Sequence, residues 1–311
     1  MNSSADSDAN SLRVIVGPTA AGKSVLAMTL SETFGGSIVS ADSRQIYRGF
    51  DIGTGKPTAS ERARVPHEGI DVADPEERWS AARFAGAAGT WLQSAVTQGR
   101  TPVVVGGSGF WIEALIKPLA PIPALEPVAR EQLARTMATW SNDELRERCA
   151  VLDPPIARLG PAQWRRAVEV ALLTGRPLSE WQRESVTGEM RSVRYLLVDP
   201  GRALGDRIAA RVHAMFANGW EDEVRSLAAR VPPTATAWNA CGYERLRAVL
   251  ADGGRADAAR DDVIRETRRY ARRQRTWVHH RLVHGPVTRL DPESADAWAR
   301  AAAWWKGEHR E

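Results

Sequence analysis

Leu12-Arg13-Val14-Ile15-Val16-Gly17-Pro18-Thr19-Ala20-Ala21-Gly22-Lys23-Ser24 is the stretch on which the fold turns. Its short apolar run ends in glycine, the pattern of a buried parallel strand, and Val25 to Phe34 beyond it has helical apolar spacing. Between strand and helix, Gly17 to Ser24 fits G-x-x-x-x-G-K-[ST] in the context that motif requires. Glycines let the backbone curl so that successive N–H groups point at a phosphate, and the helix start adds its positive dipole end. Lys23 supplies a point charge and the Ser24 hydroxyl can hold Mg²⁺. Gly17, Pro18, Thr19, Ala20, Ala21, Gly22, Lys23 and Ser24 are thus the expected diphosphate cradle, with Mg²⁺ as its ion.

Outward from the cradle the chain alternates. Ser37-Ile38-Val39-Ser40 reads as a second strand, Ile70-Asp71-Val72 as a short third, and Thr101 to Val105 as a fourth; Ala81 to Gln98 is helical. This order predicts an α/β fold, a doubly wound, P-loop NTPase-like parallel sheet flanked by helices. After Lys117 the composition shifts. Pro118-Leu119-Ala120-Pro121-Ile122-Pro123 is a stiff linker, and the helical segments Glu126 to Thr139 and Asn142 to Leu152 follow, with no strand pattern until Tyr195-Leu196-Leu197-Val198. Residues 118–190 are therefore read as an inserted helical domain, and 12–117 with 191–290 as the catalytic core. Residues 1–11 are expected to form a disordered tail and 291–311 a C-terminal helical tail. From Arg207 onward the pattern is helical, broken at Gly219 and Gly242.

A chain of 311 residues with 43% hydrophobic content can bury a sizeable core. No stretch approaches the roughly 18 to 20 apolar residues of a membrane span, and MNSSADSDAN lacks the basic and apolar regions of a signal peptide, so a cytoplasmic protein without a membrane partner is expected. Cys149 and Cys241 stand far apart with no histidine at metal spacing, which excludes a Cys-rich zinc module. The 42 Lys+Arg against 38 Asp+Glu leave a net charge of only +4, but the arginines cluster. Arg265, Arg268, Arg269 and Arg272 share one helical face and Tyr270 and Trp277 another, so one side can meet phosphates while the other packs.

A phosphate cradle does not by itself name the donor. The usual NTPase has an acidic residue at the end of an apolar strand, yet Val103-Val104-Val105 runs into Gly106-Gly107-Ser108-Gly109. Asp42 follows the second strand instead, on the carboxyl edge where open α/β sheets bind ligands. These residues leave open a kinase of small metabolites and a non-catalytic RNA-binding protein; the intact Lys23, Ser24 and Asp42 argue against the latter.

Longer stretches narrow the choice. Gly17 to Ser24, Asp42-Ser43-Arg44-Gln45-Ile46-Tyr47-Arg48-Gly49 continuing through Asp51-Ile52-Gly53-Thr54-Gly55-Lys56-Pro57, Pro66-His67, Gly106 to Gly109, Arg166 to Val170, and Arg268 to Trp277 together resemble the tRNA dimethylallyltransferase (tRNA isopentenyltransferase) family. The resemblance implies a P-loop enzyme that moves a dimethylallyl group from its pyrophosphate to N6 of the adenosine 3′ of the anticodon, releasing pyrophosphate. It implies Asp42 as the carboxylate that takes the N6 proton, and Ser108, where the family has threonine, as the hydroxyl beside the reacting atoms. It adds Lys56 and Arg211 as cations for the pyrophosphate. For the tRNA anticodon stem-loop it implies Asp42, Ser43, Arg44, Gln45, Arg130, Gln163, Arg165, Arg166, Asn239, Gly242, Tyr243, Arg268, Arg272, Arg273, Gln274 and Trp277. Mg²⁺ is the implied cofactor, dimethylallyl pyrophosphate the donor, and a monomer the expected state. The chain departs from the family's pattern near residues 159–165, which are shorter than usual, at Glu244-Arg245 after Gly242-Tyr243, and at Phe110-Trp111. All three fall on the RNA side.

Overall fold

The computed structural model describes residues 11–184, 190–282 and 285–308. They group into two units, one running to Ile116 and resuming at Met190, the other spanning Lys117–Glu189. Residues 1–10 of the tail expected over 1–11 lie outside the described residues, as do 309–311 of the expected C-terminal tail; Ser11 is buried beside the start of β1 rather than part of a tail.

The first unit opens with β1 (Leu12–Val16), α1 (Lys23–Phe34), β2 (Gly36–Ala41), α2 (Ala59–Arg64), β3 (His67–Glu68), α3 (Ala81–Thr97), β4 (Thr101–Gly106) and α4 (Gly109–Ile116). The second unit holds α5 (Pro127–Ala138), α6 (Asn142–Leu152), α7 (Pro161–Thr174) and α8 (Leu178–Arg183). The chain then returns with β5 (Val193–Val198), α9 (Leu204–Ala217), α10 (Trp220–Ala228), α11 (Tyr243–Ala251), α12 (Asp257–Arg281), β6 (Val287–Leu290) and α13 (Ala297–Lys306).

Six strands make one sheet in the order β3-β2-β4-β1-β5-β6, every pair parallel. β1 lies between β4 and β5, with Ile15 opposite Val105 on one side and Leu196 on the other. Val14, Ile15 and Val16 are fully buried, which explains a continuous apolar run rather than an alternating one. Loops leaving the carboxyl ends of β1, β2 and β4 therefore converge, and these carry the cradle, Asp42 and Ser108.

Two expectations need correction. Ile70–Val72 is not a strand; the third strand is His67–Glu68, paired through Ile38 and Val39. Asp71 sits at φ 56°, outside extended backbone, and its carboxylate receives Lys56 and Arg62. The last strand, Val287–Leu290, lies in a region read as helical. It follows Pro286 on the sheet edge with only Leu290 buried, too short and too exposed to show a period.

Each unit has its own core. In the first, α1 and α13 cover one face of the sheet, where Leu30, Ile38, Val103, Trp304 and Trp305 pack together. Arg13 and Arg194, from adjacent strands, both donate to the Trp305 carbonyl at 3.0 Å and fasten the end of α13. In the second, Met137, Leu145, Cys149, Ile156, Ala167, Val168, Val170 and Leu178 form the core. Ser141 and Glu144 close a capping box at the start of α6.

Candidate active site

The cradle is held from both flanks. Gly17, at φ 154°, leaves β1 so close to β5 that a Cβ would overlap the Val198 carbonyl. Ala20 stands at φ 62°, a conformation costing a non-glycine residue about 1–2 kcal/mol, and Arg207 Nε donates to its carbonyl at 3.0 Å. On the other flank Gln274 of α12 accepts the Thr19 N–H at 2.8 Å and donates to the Gly107 carbonyl at 3.1 Å. Gln274 was expected to meet RNA. It is buried, with both ends of its amide engaged in bridging the cradle to the loop after β4.

Lys23 begins α1, and its Nζ donates to the Pro18 carbonyl at 2.7 Å. The residue is partly exposed as a whole, but its ammonium is enclosed. Burial pulls the ammonium down to about 8, against the attraction of Asp42 and with the help of Arg211. The Arg211 guanidinium is also pulled below its usual range by burial, with Asp42 opposing. Asp42 thus faces two enclosed cations, an arrangement that readily receives a multivalent anion.

Asp42 lies just past β2, and its Oδ1 accepts the Arg44 N–H at 2.9 Å. Beside it Ser108 Oγ accepts the Ser43 N–H at 3.0 Å and lies 3.3 Å from Ser43 Oγ. The Tyr270 phenol of α12 hydrogen-bonds to Ser108; burial, then Asp42, hold its pKa above the usual tyrosine range, so it stays neutral. Sequence reasoning placed Tyr270 only on the packing face of its helix.

Two cavities meet here. The larger, about 170 Å³, runs along the cradle past Lys23, Ser24, Lys56 and His67. The smaller, about 60 Å³, is lined by Arg44, Thr267 and Tyr270 together with Val212, Met215, Trp220 and Val263. Thr19, Asp42, Thr54 and Arg211 line both, so the carboxylate stands at the junction.

The 51–57 loop forms one wall. Lys56 was expected to bind pyrophosphate; instead its side chain is 3% exposed and its Nζ is matched by Asp51 at 2.6 Å, Asp71 at 2.5 Å and the Tyr47 carbonyl at 2.5 Å. Two carboxylates neutralise it, and it braces the loop. Gln45, expected against the base, likewise holds this loop, donating to the Gly55 carbonyl at 3.0 Å and accepting from Ser40 Oγ at 2.9 Å. Tyr243, expected to meet RNA, is fully buried: its hydroxyl donates to Glu223 at 2.5 Å and accepts the Gly53 N–H at 3.0 Å. Glu223 also receives the N–H groups of Asp51 and Ile52, at 3.0 and 2.7 Å. Gly242, also assigned to RNA, is a buried αL cap at φ 83° at the start of α11.

A family model for IPP transferase matches residues 45–281, and one for isopentenyl transferase matches residues 10–67. The chain is 42% identical to the tRNA dimethylallyltransferase of Sorangium cellulosum over 88% of each sequence. It is 40% identical to that of an Anaeromyxobacter species over 94% of this chain and 98% of the relative. The chain belongs to the tRNA dimethylallyltransferase family. Among solved structures it resembles the full-length tRNA isopentenylpyrophosphate transferase of Bacillus halodurans, with 30% identity, 96% of each chain covered and a TM-score of 0.67. A eukaryotic dimethylallyltransferase shares the fold at 24% identity and TM-score 0.77, covering 95% of this chain and 77% of that one.

The remaining positions marked by the tRNA dimethylallyltransferase resemblance are placed as follows. Arg268, Arg272 and Arg273 are exposed on α12; Arg268 donates to the Gly205 carbonyl at 3.3 Å, and the Arg273 guanidinium lies 5.6 Å from the Tyr270 ring centre. Trp277 packs against Gly109, where a Cβ would overlap the indole. Asn239 is exposed and donates to the Thr236 carbonyl at 3.1 Å. In the second unit Arg130 and Arg166 flank Glu169 at 2.6 and 2.5 Å. Burial raises the Glu169 pKa, but the two guanidinium bonds outweigh it and hold the carboxylate ionised. Arg165 donates to the Met137 carbonyl at 3.2 Å, and Gln163 is exposed. Among the described residues no helix is long and apolar enough to cross a membrane.

Proposed function

We propose that this protein transfers a dimethylallyl group from dimethylallyl pyrophosphate to N6 of the adenosine 3′ of the anticodon in tRNA. The observation that carries this reading is the place of Asp42, which lines both the cradle cavity and its smaller neighbour and faces Lys23 and Arg211. The amine nucleophile needs a proton acceptor, and Asp42 supplies a carboxylate for it.

The diphosphate rests on the N–H groups at the start of α1, around Gly22 to Ser24, with Lys23 and Arg211 taking up the charge that grows as the C1–O bond breaks. The N6 lone pair forms the new C–N bond at C1, pyrophosphate leaves, and the N6 proton passes to the Asp42 carboxylate. Ser108, oriented by Ser43 and Tyr270, presents its hydroxyl to the loop that carries Asp42. Ser24 lines the larger cavity beside the cradle, and its hydroxyl would hold Mg²⁺ there. Bound Mg²⁺ supplies charge neutralisation to the leaving group.

The target base must leave its stack to reach this depth. Arg268, Arg272 and Arg273 on α12, with Arg130, Arg165 and Arg166 of the second unit, are the proposed phosphate contacts. One chain supplies every group the reaction needs, consistent with a monomer.

Mass analysis of adenosines in unmodified tRNA after incubation with protein, donor and Mg²⁺ tests the reading. Dimethylallyl addition at the position 3′ of the anticodon is expected, with turnover in Asp42→Asn lower by roughly 100-fold or more. Phosphate transfer from ATP without prenyl transfer would overturn it.

A further inference from the structure

β1 and β4 lie side by side, with Val16 paired to Gly106, and the two loops that build the site leave the sheet at that pair. One curls into the cradle; the other runs on as Gly107-Ser108-Gly109. Among the described residues no backbone hydrogen bond joins 18–22 to 107–109, so the strands alone do not fix how far apart the loops stand. Resting on the functional reading above, we infer that Gln274 is a positioning residue, which holds the cradle at a set distance from Ser108 and so aligns the donor's C1 with the incoming amine.

The Gln274 side chain is the tie between the loops. Its Oε1 accepts the Thr19 N–H at 2.8 Å and its Nε2 donates to the Gly107 carbonyl at 3.1 Å. The span needs one acceptor and one donor on the same planar group, which the glutamine amide has and an ionised carboxylate or an ammonium has not. Gln274 is 6% exposed, so losing either bond leaves a buried backbone group unpaired. α12 also presses on the second loop at each of its residues. A Cβ on Gly107 would overlap the Gln274 amide, Tyr270 hydrogen-bonds to Ser108, and a Cβ on Gly109 would overlap the Trp277 indole. Gln274 lies one turn from each of the other two, on the same side of the helix. Of the three, only Gln274 hydrogen-bonds to the cradle.

This bridge acts on the reaction rather than on the grip. The diphosphate rests on the start of α1 and on Lys23, which the two Gln274 bonds do not involve. Without the tie the donor still binds, but its C1 and the amine lose their alignment, and a misplacement of about 1 Å costs about 100-fold in rate.

The test measures kcat and the KM for dimethylallyl pyrophosphate, at saturating tRNA, in the parent, Gln274→Met and Gln274→Glu. Methionine keeps the length and loses both bonds, so kcat should fall by roughly 10- to 100-fold with KM within a few-fold of the parent's. In Gln274→Glu the carboxyl rebuilds the bridge only when protonated, its O–H donating to Gly107 and its other oxygen accepting from Thr19. Its kcat, as a ratio to the parent's at each pH, should therefore rise as pH falls from about 8 to about 5, the range in which a buried glutamate titrates. The same ratio for Gln274→Met should stay flat. Lys23, Asp42, Lys56, Glu61, His67 and Arg211 line the cavity with Gln274 and are common to all three proteins, so the ratio removes their own titration. A bond that only stabilises the fold would move the melting temperature and not this ratio. If Gln274→Met fails to fold, the Gln274→Glu ratio decides. A loss confined to KM, a methionine variant as fast as the parent, or a glutamate ratio that ignores pH would overturn the role while transfer by the parent still stood. No transfer by the parent would overturn the functional reading and the role together.

Discussion

Lys23 is a charge held at the edge of losing its proton. Burial and Arg211 bring its pKa to about 8 in the ligand-free protein, so it is mostly charged below that pH and neutral well above it. A diphosphate restores the counter-charge and raises the pKa, so binding draws in a proton once the pH exceeds about 8. Pyrophosphate affinity should therefore weaken as pH rises from about 8 towards 10, and more steeply than in Lys23→Arg, whose guanidinium stays charged. Calorimetric titration of both proteins in buffers of different ionisation heat checks this, and the comparison cancels the ligand's own titration. Equal proton uptake by the two proteins at alkaline pH would reject it. That Lys23, Ser24 and Asp42 would meet in one cavity was legible, because the cradle's spacing is local and Asp42 follows the second strand. The internal bonds of Lys56, Gln45 and Tyr243 were not legible because their partners lie elsewhere: Asp71 for Lys56, the Gly55 carbonyl for Gln45, Glu223 for Tyr243. A residue's type shows what it can bond, and only the fold shows whether that capacity is already taken.

Among elements, α12 carries the sharpest division of labour. Its buried side, with Thr267, Ala271, Gln274 and Val278, faces the cradle and core, while Arg268, Arg269, Arg272 and Arg273 are exposed. The 3.6-residue period made that division visible in sequence. It did not show which arginines are engaged within the protein: Arg265 is paired with Asp262, and Arg275 grips Asp199 at 2.5 Å and the Gly201 carbonyl at 2.6 Å. Replacing Arg268 and Arg272 by alanine should make log affinity for tRNA fall less steeply with log salt, by roughly 0.7–0.9 per lost phosphate contact. Replacing Arg275 should lower the melting temperature instead. A salt titration of tRNA binding beside a melting curve separates the two, and an unmoved slope in a folded Arg268/Arg272 variant would remove this face from the RNA interface.

At the scale of the molecule, two separate cores imply that damage to one leaves the other's ligand in place. Leu145, 1% exposed in the second unit, is the test position: Leu145→Ala should destabilise that unit by about 2–5 kcal/mol yet leave pyrophosphate binding by the first unit intact. A melting curve with a parallel pyrophosphate titration reads both, and a lost cradle affinity would show that the units fold as one. The central sheet was legible because Val- and Ile-rich strands announce themselves. Its outer strands were not, being two residues at β3 and four at β6. The order of strands carries a further consequence, for the timing of synthesis. β1 is made first and pairs with β4 early, but its other neighbour is β5, whose Val193 pairs with Leu12 only after all of Lys117–Glu189 has been translated. At about 5–20 residues per second, the nascent chain carries an apolar strand edge uncovered for several seconds, while the helical segment behind it has time to collapse on its own core. An edge of that kind invites pairing with other chains. The interval before β5 arrives is thus where the growing polypeptide is most exposed to aggregation and most dependent on a chaperone.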